Sequence, residues 1–341
     1  MAQRLKLFLP LLALLAFPWL APNSYYLDLG TKVAIYGIVA MGLAILIGQA
    51  GQISLGQAAL FGVGAYTTAL VNLRLGWGIW LSLPLGALAG ALVSLVLGFT
   101  ALRLRGHLLA LITLAFSLIF SGVVRGWMDV TGGPGGLSGI ESPQLFGVSF
   151  ASERAYFYLA WVICLALLAF GQNICSSRTG RALSAIRQNE VSARAIGINV
   201  TFYKLQVFIL SGAFAGIGGG LFAHYLRYIA PDSFTLHFSV MLLSMIVIGG
   251  LRQGAWGGLA GALVLTILPE LLRALGEVLP LPGRLNVVFT DYTYQLIIYG
   301  LLVFLTVLFL PGGVVSLFRR KAGPGDKNSK EVGNGREVGV L

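Results

Sequence analysis

The chain has 341 residues, of which 57% are hydrophobic and only 10% are charged. Soluble domains carry about 25% charged residues, so this composition excludes an ordinary soluble globule and a disordered chain. The net charge of +11 would suggest a nucleic acid partner in a soluble protein. Here the basic residues lie between and after apolar runs, which indicates orientation in a membrane instead.

Ten apolar stretches follow one another along the chain, most of them near the roughly 20 residues that a membrane-spanning helix needs. They lie near 7–22, 33–47, 55–73, 79–101, 107–124, 155–171, 203–225, 237–250, 257–275 and 293–311. We interpret the first as a retained helix, because it lacks the small-residue cleavage site of a signal peptide. The stretches 33–47 and 237–250 are short, and each runs into a glycine-rich break. The sequence therefore predicts an all-α polytopic membrane protein with about ten transmembrane helices, or eight helices and two re-entrant hairpins.

The basic residues predict the orientation of the chain. Sixteen of the 23 Lys and Arg fall on one side of the apolar stretches and seven on the other. Because cytoplasmic loops carry the excess of Lys and Arg, we predict that both termini are cytoplasmic. We name 172–202 the inner loop and 125–154 the outer loop. Residues 1–318 form the predicted membrane domain, and the polar residues 319–341 predict a disordered cytoplasmic tail.

Polar residues and glycines interrupt the apolar sequence between 47 and 66. Polar side chains at membrane depth are tolerated where they face protein or a wet cavity. The candidate path residues are Gln49, Gly51, Gln52, Ser54, Gly56 and Gln57. A second glycine-broken segment lies at 248–261, and such a pair predicts an internal repeat around a translocation path. Close helix packing through small residues explains the same pattern, and the residues alone leave both interpretations open.

The inner loop predicts a short amphipathic helix from Gly180 to Ile196, which ends at Gly197. Such a basic helix could lie on anionic lipid, or it could dock into a groove of a cytoplasmic partner. The chain has no nucleotide-binding motif, so ATP, if it is used, must be bound by another chain.

Two other classes of protein fit the sequence poorly. The segment Gly136-Leu-Ser-Gly139 matches a motif of intramembrane serine proteases, with His224 or His237 as the base. However, Ser138 follows a glycine-rich outer loop rather than lying in a helix, and we predict no catalytic or metal-binding residue. A secondary transporter usually needs acidic residues within the membrane. The candidates, all near the ends of the apolar stretches, are Asp129, Asp232, Glu270 and Asp291.

Three segments together resemble the permease subunit of branched-chain amino acid ABC importers. They are Gly51-Gln-Ile-Ser-Leu-Gly-Gln57 with the following Gly-Ala-Tyr66, the outer segment Thr131–Ile140, and the inner segment Arg178–Asn199. The resemblance covers about residues 25 to 315 and makes 1–318 a permease domain. It implies a non-enzymatic subunit for leucine, isoleucine or valine in a bacterial or archaeal-type cytoplasmic (inner) membrane. A permease for urea, a short-chain amide or another amino acid is the main alternative.

The resemblance also implies partners and a coupling site. A second, related permease, two ATPase subunits that bind ATP and Mg²⁺, and an external substrate-binding protein would complete the importer; no cofactor is expected in this chain. In ABC importers, a cytoplasmic loop with a Glu-Ala-Ala-type signature ending in Gly docks into the ATPase. The residues that fit this signature, with two arginines on the preceding turns, are Arg181, Arg187, Glu190, Ala193, Ala195 and Gly197.

Overall fold

The structure is a computed structural model that describes residues 14–20, 23–101, 107–145, 148–251 and 253–278, with 300–301, 304–305, 308–309 and 313. Its helices are α1 (residues 14–20), α2 (Ser24–Ala50), α3 (Gln57–Leu75), α4 (Ile79–Ala101), α5 (His107–Gly126), α6 (Met128–Thr131), α7 (Glu153–Ser176), α8 (Arg178–Gln188), α9 (Glu190–Ala195), α10 (Val200–Leu226), α11 (Leu236–Gly249) and α12 (Ala255–Val278). The strands are β1 (Leu137–Ser138), β2 (Gln144–Leu145), β3 (Val148–Ser149) and β4 (Tyr228–Ile229). β1 pairs with β4 and β2 with β3, both antiparallel. The predicted all-α polytopic fold is confirmed.

Six helices in the described part of the chain are long and apolar enough to span a membrane: α2, α3, α4, α5, α7 and α10. The predicted start of the second stretch at 33 is wrong, because α2 begins at Ser24 and runs for 27 residues. Asp28 and Lys32 interrupt the apolar pattern in its first turns, but they pair with each other at 2.8 Å on one face of the helix. Opposite charges four residues apart stabilise a helix instead of ending it.

α2 lies at the centre of the helical bundle. In the 18-residue apolar stretch of α2, 89% of the residues are buried; the corresponding fractions are 28% for α4 and 22% for α5. α2 packs against α7, α10, α11 and α12, so its side chains are covered on several faces. α4 and α5 present apolar surfaces outward, as expected of helices that meet lipid or another membrane subunit.

Glycines bring α3, α4 and α10 into backbone contact. A Cβ atom placed on Gly64 of α3 would lie 2.4 Å from the Cα of Gly216 in α10. A Cβ atom on Gly90 of α4 would lie 2.3 Å from the carbonyl oxygen of Gly212. Small residues permit this close approach of membrane helices. In these helices the packing interpretation of the abundant glycines is therefore correct.

Some predictions lie outside the described residues. The stretch 293–311 is described only at 300–301, 304–305 and 308–309, which are helical. The tail 319–341 and most of the first stretch, 7–22, also lie outside this part of the chain. The predicted domain limits and the internal repeat stay predictions.

Candidate functional site: the break after α2 and the inner loop

The helical path of the chain breaks between α2 and α3, as the glycines predict. Gly51 adopts a left-handed conformation (φ +67°) directly after Ala50, and its N–H donates to the carbonyl of Ile47 at 3.0 Å. Glycine takes this conformation without the steric penalty of a Cβ atom. Residues 51–56 are non-helical, and α3 begins at Gln57. We call 51–56 the break segment.

Hydroxyl groups of neighbouring helices hold the break segment. The N–H of Leu55 donates to Oγ1 of Thr113 at 2.9 Å, and Ser117 Oγ donates to the carbonyl of Leu55 at 3.1 Å. The Gln57 amide nitrogen donates to the carbonyl of Ser211 at 3.2 Å. Ser211 is eleven residues into α10, or roughly 16 Å from its first residue at 1.5 Å per residue. Gln57 therefore lies well inside the bundle.

The remaining candidate path residues occupy different environments. Ser54 is buried and accepts a hydrogen bond from the N–H of Gly56 at 3.3 Å. Gln52 is also buried, at 7% exposure, and its Oε1 accepts no hydrogen bond from the described residues. A buried acceptor without a partner is costly, by about 1–3 kcal/mol. Among the candidate path residues, Gln52 is the one with a buried side-chain oxygen that has no hydrogen-bond partner in the described part of the chain.

The inner loop forms two helices, so the predicted single helix from Gly180 to Ile196 is wrong. The first helix, α8, begins after Ser177, whose Oγ accepts from the N–H of Thr179 at 3.1 Å. Asn189 is extended (φ −160°), and its Oδ1 caps α9 by accepting from the N–H groups of Val191 and Ser192 at 2.9 and 3.1 Å. Asparagine is a strong N-cap residue because its side chain satisfies amides that lack helical partners. The predicted stop is confirmed, since Gly197 follows α9 with φ +85°.

The inner-loop candidates separate into buried, paired and exposed groups. Ala193 is 2% exposed and packs with Ile186 and Val200. Glu190 pairs with Lys204 and lies 3.9 Å from Arg194. The exposed candidates are Arg181, Arg187, Ala195 and Gly197. Two apolar residues that were not among the predicted site residues, Val191 and Ile196, are 76% and 73% exposed beside these candidates.

α8 contacts the last turn of α2. Ser184 Oγ donates to Oε1 of Gln49 at 3.1 Å, and Nη1 of Arg187 donates to the carbonyl of Gly48. Gln49, a candidate path residue, therefore lies beside the inner loop and not at the depth of Gln57. Ser184 was not predicted, although its spacing of three residues from Arg187 places both on one helix face.

The second glycine-broken segment lies against the same turn of α2. α11 ends at Gly249 and α12 begins at Ala255. A Cβ atom on Gly48 would lie only 2.2 Å from the carbonyl oxygen of Leu251. The end of α2 thus contacts both α8 and the turn between α11 and α12, and three motifs that are far apart in the sequence meet there.

The outer loop precedes α7, and three of its glycines adopt positive φ values at turns. Gly132, Gly133 and Gly136 have φ values of +74°, +58° and +70°. Ser138 lies on β1, paired with Tyr228 of β4. His224 contacts Ser82 at 3.1 Å and the carbonyl of Glu141 at 2.8 Å. The described residues include no cluster of three metal-ligating side chains.

A cavity of about 340 Å³ opens beside the outer loop, between the ends of α2, α7 and α10. Its wall carries two carboxylates, from Asp28 and Glu153, and the guanidinium of Arg227. Pro143 and Phe150 add apolar surface. Ligand pockets typically measure about 300–1,000 Å³, so this cavity is large enough for a small molecule.

The fold and these contacts describe a polytopic membrane protein with a non-helical break after its central helix and a structured inner loop, as in a transport subunit. Residues 25–307 match the family described as the branched-chain amino acid transport system / permease component. The chain belongs to this family, as its sequence motifs predict.

The relatives agree with this assignment. The chain is 32% identical to the high-affinity branched-chain amino acid transport system permease protein LivM of Salmonella typhimurium, over 92% of this chain and 76% of that protein. It is 29% identical to the probable branched-chain amino acid transport permease protein LivH of Methanocaldococcus jannaschii, over 72% and 82%. It is also 28% identical to the L-arabinose transport system permease protein AraH of Escherichia coli, over 82% and 80%. No solved structure matches the chain.

Proposed function

We propose that this permease forms the translocation path of an ATP-driven importer for leucine, isoleucine and valine. The observation that carries the proposal is the contact between the inner loop and the end of α2, at the start of the break segment. This arrangement joins a surface suited to a cytoplasmic partner directly to a polar interruption in the bundle. The chain itself acts as a transport subunit, and ATP and Mg²⁺ are bound by two ATPase subunits.

The exposed side of α9 is the surface we assign to the ATPase. Val191 and Ile196 expose apolar side chains beside Arg194. A partner groove with an apolar floor and an acidic rim would match this surface, since apolar anchors supply affinity and charges supply orientation. Ala195 and Gly197 belong to this surface. Ala193, which is buried, and Glu190, which pairs with Lys204, hold α9 in place beneath it.

The other partners follow from the exposed faces and from the distribution of charge. The outward apolar faces of α4 and α5 would meet lipid and a second, related permease. The outer loop would receive the substrate-binding protein. In the orientation predicted by the basic residues, both termini are in the cytoplasm. A cysteine in place of exposed Ser138 should then react with an impermeant reagent added outside cells, and one in place of exposed Ser192 should not.

The outer cavity favours an amino acid over a sugar or urea as substrate. Arg227 can pair with a carboxylate, and Glu153 can pair with an ammonium group. A neutral sugar or urea would leave these charges without ionic partners. The apolar wall formed by Pro143 and Phe150 suits an aliphatic side chain.

Uptake by the reconstituted complex tests the proposal. The permease is purified with its co-purifying subunits, placed in proteoliposomes with ATP inside, and supplied with the binding protein and radiolabelled solutes. We expect ATP-dependent uptake of leucine, isoleucine and valine, and none of arabinose or urea. Arg227→Gln should reduce leucine uptake, while the matched control Arg154→Gln, which lies over Trp19 and not in the cavity wall, should not. Uptake of urea or arabinose in place of the amino acids would refute the proposed substrate.

A further inference from the structure

One carbonyl at the end of α2 receives its hydrogen bond from a different helix. The last four carbonyl groups of an α-helix lack partners within it. In α2, the carbonyl of Ile47 accepts from the N–H of Gly51, but that of Gly48 accepts from the guanidinium of Arg187. A cation at a helix C-terminus also interacts favourably with the helix dipole. Arg187 is therefore a cap supplied to α2 by the inner loop.

A second contact lies one helical turn away on the same face of α8. The single hydroxyl proton of Ser184 is shared between two acceptors, Oε1 of Gln49 at 3.1 Å and the carbonyl oxygen of Gly180 at 2.9 Å. Leu183 and Ile186 of α8 are 0% and 1% exposed, so α8 is packed into the bundle. α8 and the last turn of α2 are thus joined by both packing and hydrogen bonds.

This junction lies between the two parts of the proposed mechanism. On one side, α9 follows α8 after Asn189 and carries the surface assigned to the ATPase. On the other side, the break segment starts at Gly51, and a Cβ atom placed there would lie 3.6 Å from Cγ of Arg187. The next residue of the chain is Gln52, whose Oε1 has no partner among the described residues. A displacement of α8 cannot occur without breaking these contacts or moving the start of the break segment.

We infer that Arg187 and Ser184 are positioning residues that carry the movement of the inner loop to the break segment through the carbonyl of Gly48 and the amide of Gln49. This inference rests on the proposed function and adds the connection by which ATP hydrolysis reaches the path. α8 and the end of α2 move as one unit, so the link stays closed through the transport cycle.

The first test separates hydrolysis from transport. Arg187→Met, Arg187→Lys and the control Arg178→Met are compared in the complete complex in proteoliposomes. Arg178 is the first residue of the same helix, is exposed and is not one of the candidate coupling residues. The measurements are co-purification of the ATPase, ATP hydrolysis stimulated by the loaded binding protein, and leucine imported per ATP hydrolysed.

We expect Arg187→Met to retain the ATPase and to hydrolyse ATP, but to import roughly tenfold less leucine per ATP, as for loss of one charge-assisted hydrogen bond. Arg187→Lys keeps a cationic donor and should recover part of the ratio, and Arg178→Met should match the wild type. An unchanged ratio in Arg187→Met refutes the inference, and so does loss of ATPase binding, which would make Arg187 a docking residue. A wild-type complex without ATP-dependent leucine uptake would instead refute the proposed function.

The second test replaces the link with a covalent bond. Ser184→Cys and Gln49→Cys are combined with Arg187→Met in a chain whose Cys164 and Cys175 are replaced by alanine. Because Ser184 contacts the far end of the Gln49 side chain, the two cysteines are joined by a short, reducible bis-thiosulfonate crosslinker. Crosslinking should restore leucine import per ATP, and reduction should abolish it again. If the crosslink blocks import in a chain that retains Arg187, the two elements must separate during the cycle and the inference is wrong.

Discussion

The end of α9 depends on a backbone conformation that only glycine adopts freely. Gly197 has φ +85°, its N–H donates to the carbonyl of Arg194, and the next N–H, of Ile198, donates to that of Ala193, both at 3.0 Å. Apart from its chain neighbours, no described residue has an atom within 4 Å of a Cβ placed on Gly197. The penalty of a substitution is therefore one of backbone conformation alone, about 1–2 kcal/mol for an L-residue in the left-handed region.

From this value we expect Gly197→Val to shift the end of α9 toward frayed conformations by a factor of roughly 5–30. Gly197→Asn should have a smaller effect, because asparagine tolerates the left-handed region, and Gly197→Ala should fall between the two. Fraying displaces the docking surface of α9. The concentration of ATPase needed for half-maximal binding should rise in the same order.

Hydrogen–deuterium exchange at Ile198 in the lipid-embedded permease measures the fraying directly, and titration with the ATPase measures its consequence. Gly76 is the matched control, because it also has a left-handed conformation (φ +67°) but follows α3; in the described part of the chain, only its chain neighbours lie within 4 Å of its Cβ position. Gly76→Val should alter local exchange without altering ATPase binding. Equal exchange and binding in Gly197→Val and Gly197→Asn would refute the conformational explanation.

Four further outcomes are expected. Glu190→Lys should lower the thermal stability of the permease by repelling Lys204, and the exchange Glu190→Lys with Lys204→Glu should restore it; absence of restoration would mean that Glu190 acts on another chain. Gly64→Ala should lower the unfolding temperature by overpacking α3 against α10, at about 1–3 kcal/mol, as measured in a thermal-shift assay. Arg227 has φ +56° at the end of α10. In the same thermal-shift assay, the Arg227→Gly variant should therefore be more stable than the Arg227→Ala variant by about 1 kcal/mol. Gln52→Leu should leave subunit assembly intact and reduce leucine uptake. Uptake at the wild-type level would show that Gln52 is not part of the translocation path.

The elements that sequence predicted well are those determined by local composition. The stretch 79–101 corresponds to α4, from Ile79 to Ala101, because an uninterrupted apolar run leaves little choice of boundary. The helix stops at Gly51 and Gly197 were predictable for a related reason, as both glycines have the left-handed conformation that ends helices. The break at Asn189 was also visible in principle, since Asn followed by Glu in a first turn is a common helix start.

The contacts that assemble the site could not be predicted in this way. Gln49 and Ser184 are 135 residues apart, and nothing in either local pattern specifies the other as its partner. The same holds for Gly48, whose small size is required by the carbonyl of Leu251. Tertiary packing decides which glycine ends a helix and which one allows a neighbouring backbone to approach. The sequence alone therefore left open whether the glycines mark a translocation path or close helix packing.

Both uses of glycine bear on where the protein can change shape. In α3, α4 and α10 the glycines bring backbones so close that sliding one helix along another would collide with the next residue that has a side chain. We therefore expect these three helices to move as a block. The break segment is held differently, by single hydrogen bonds in which Thr113 accepts and Ser117 donates, and such bonds exchange partners at little net cost. Movement delivered through α8 should thus be taken up at residues 51–56, next to the one buried glutamine oxygen that has no partner among the described residues.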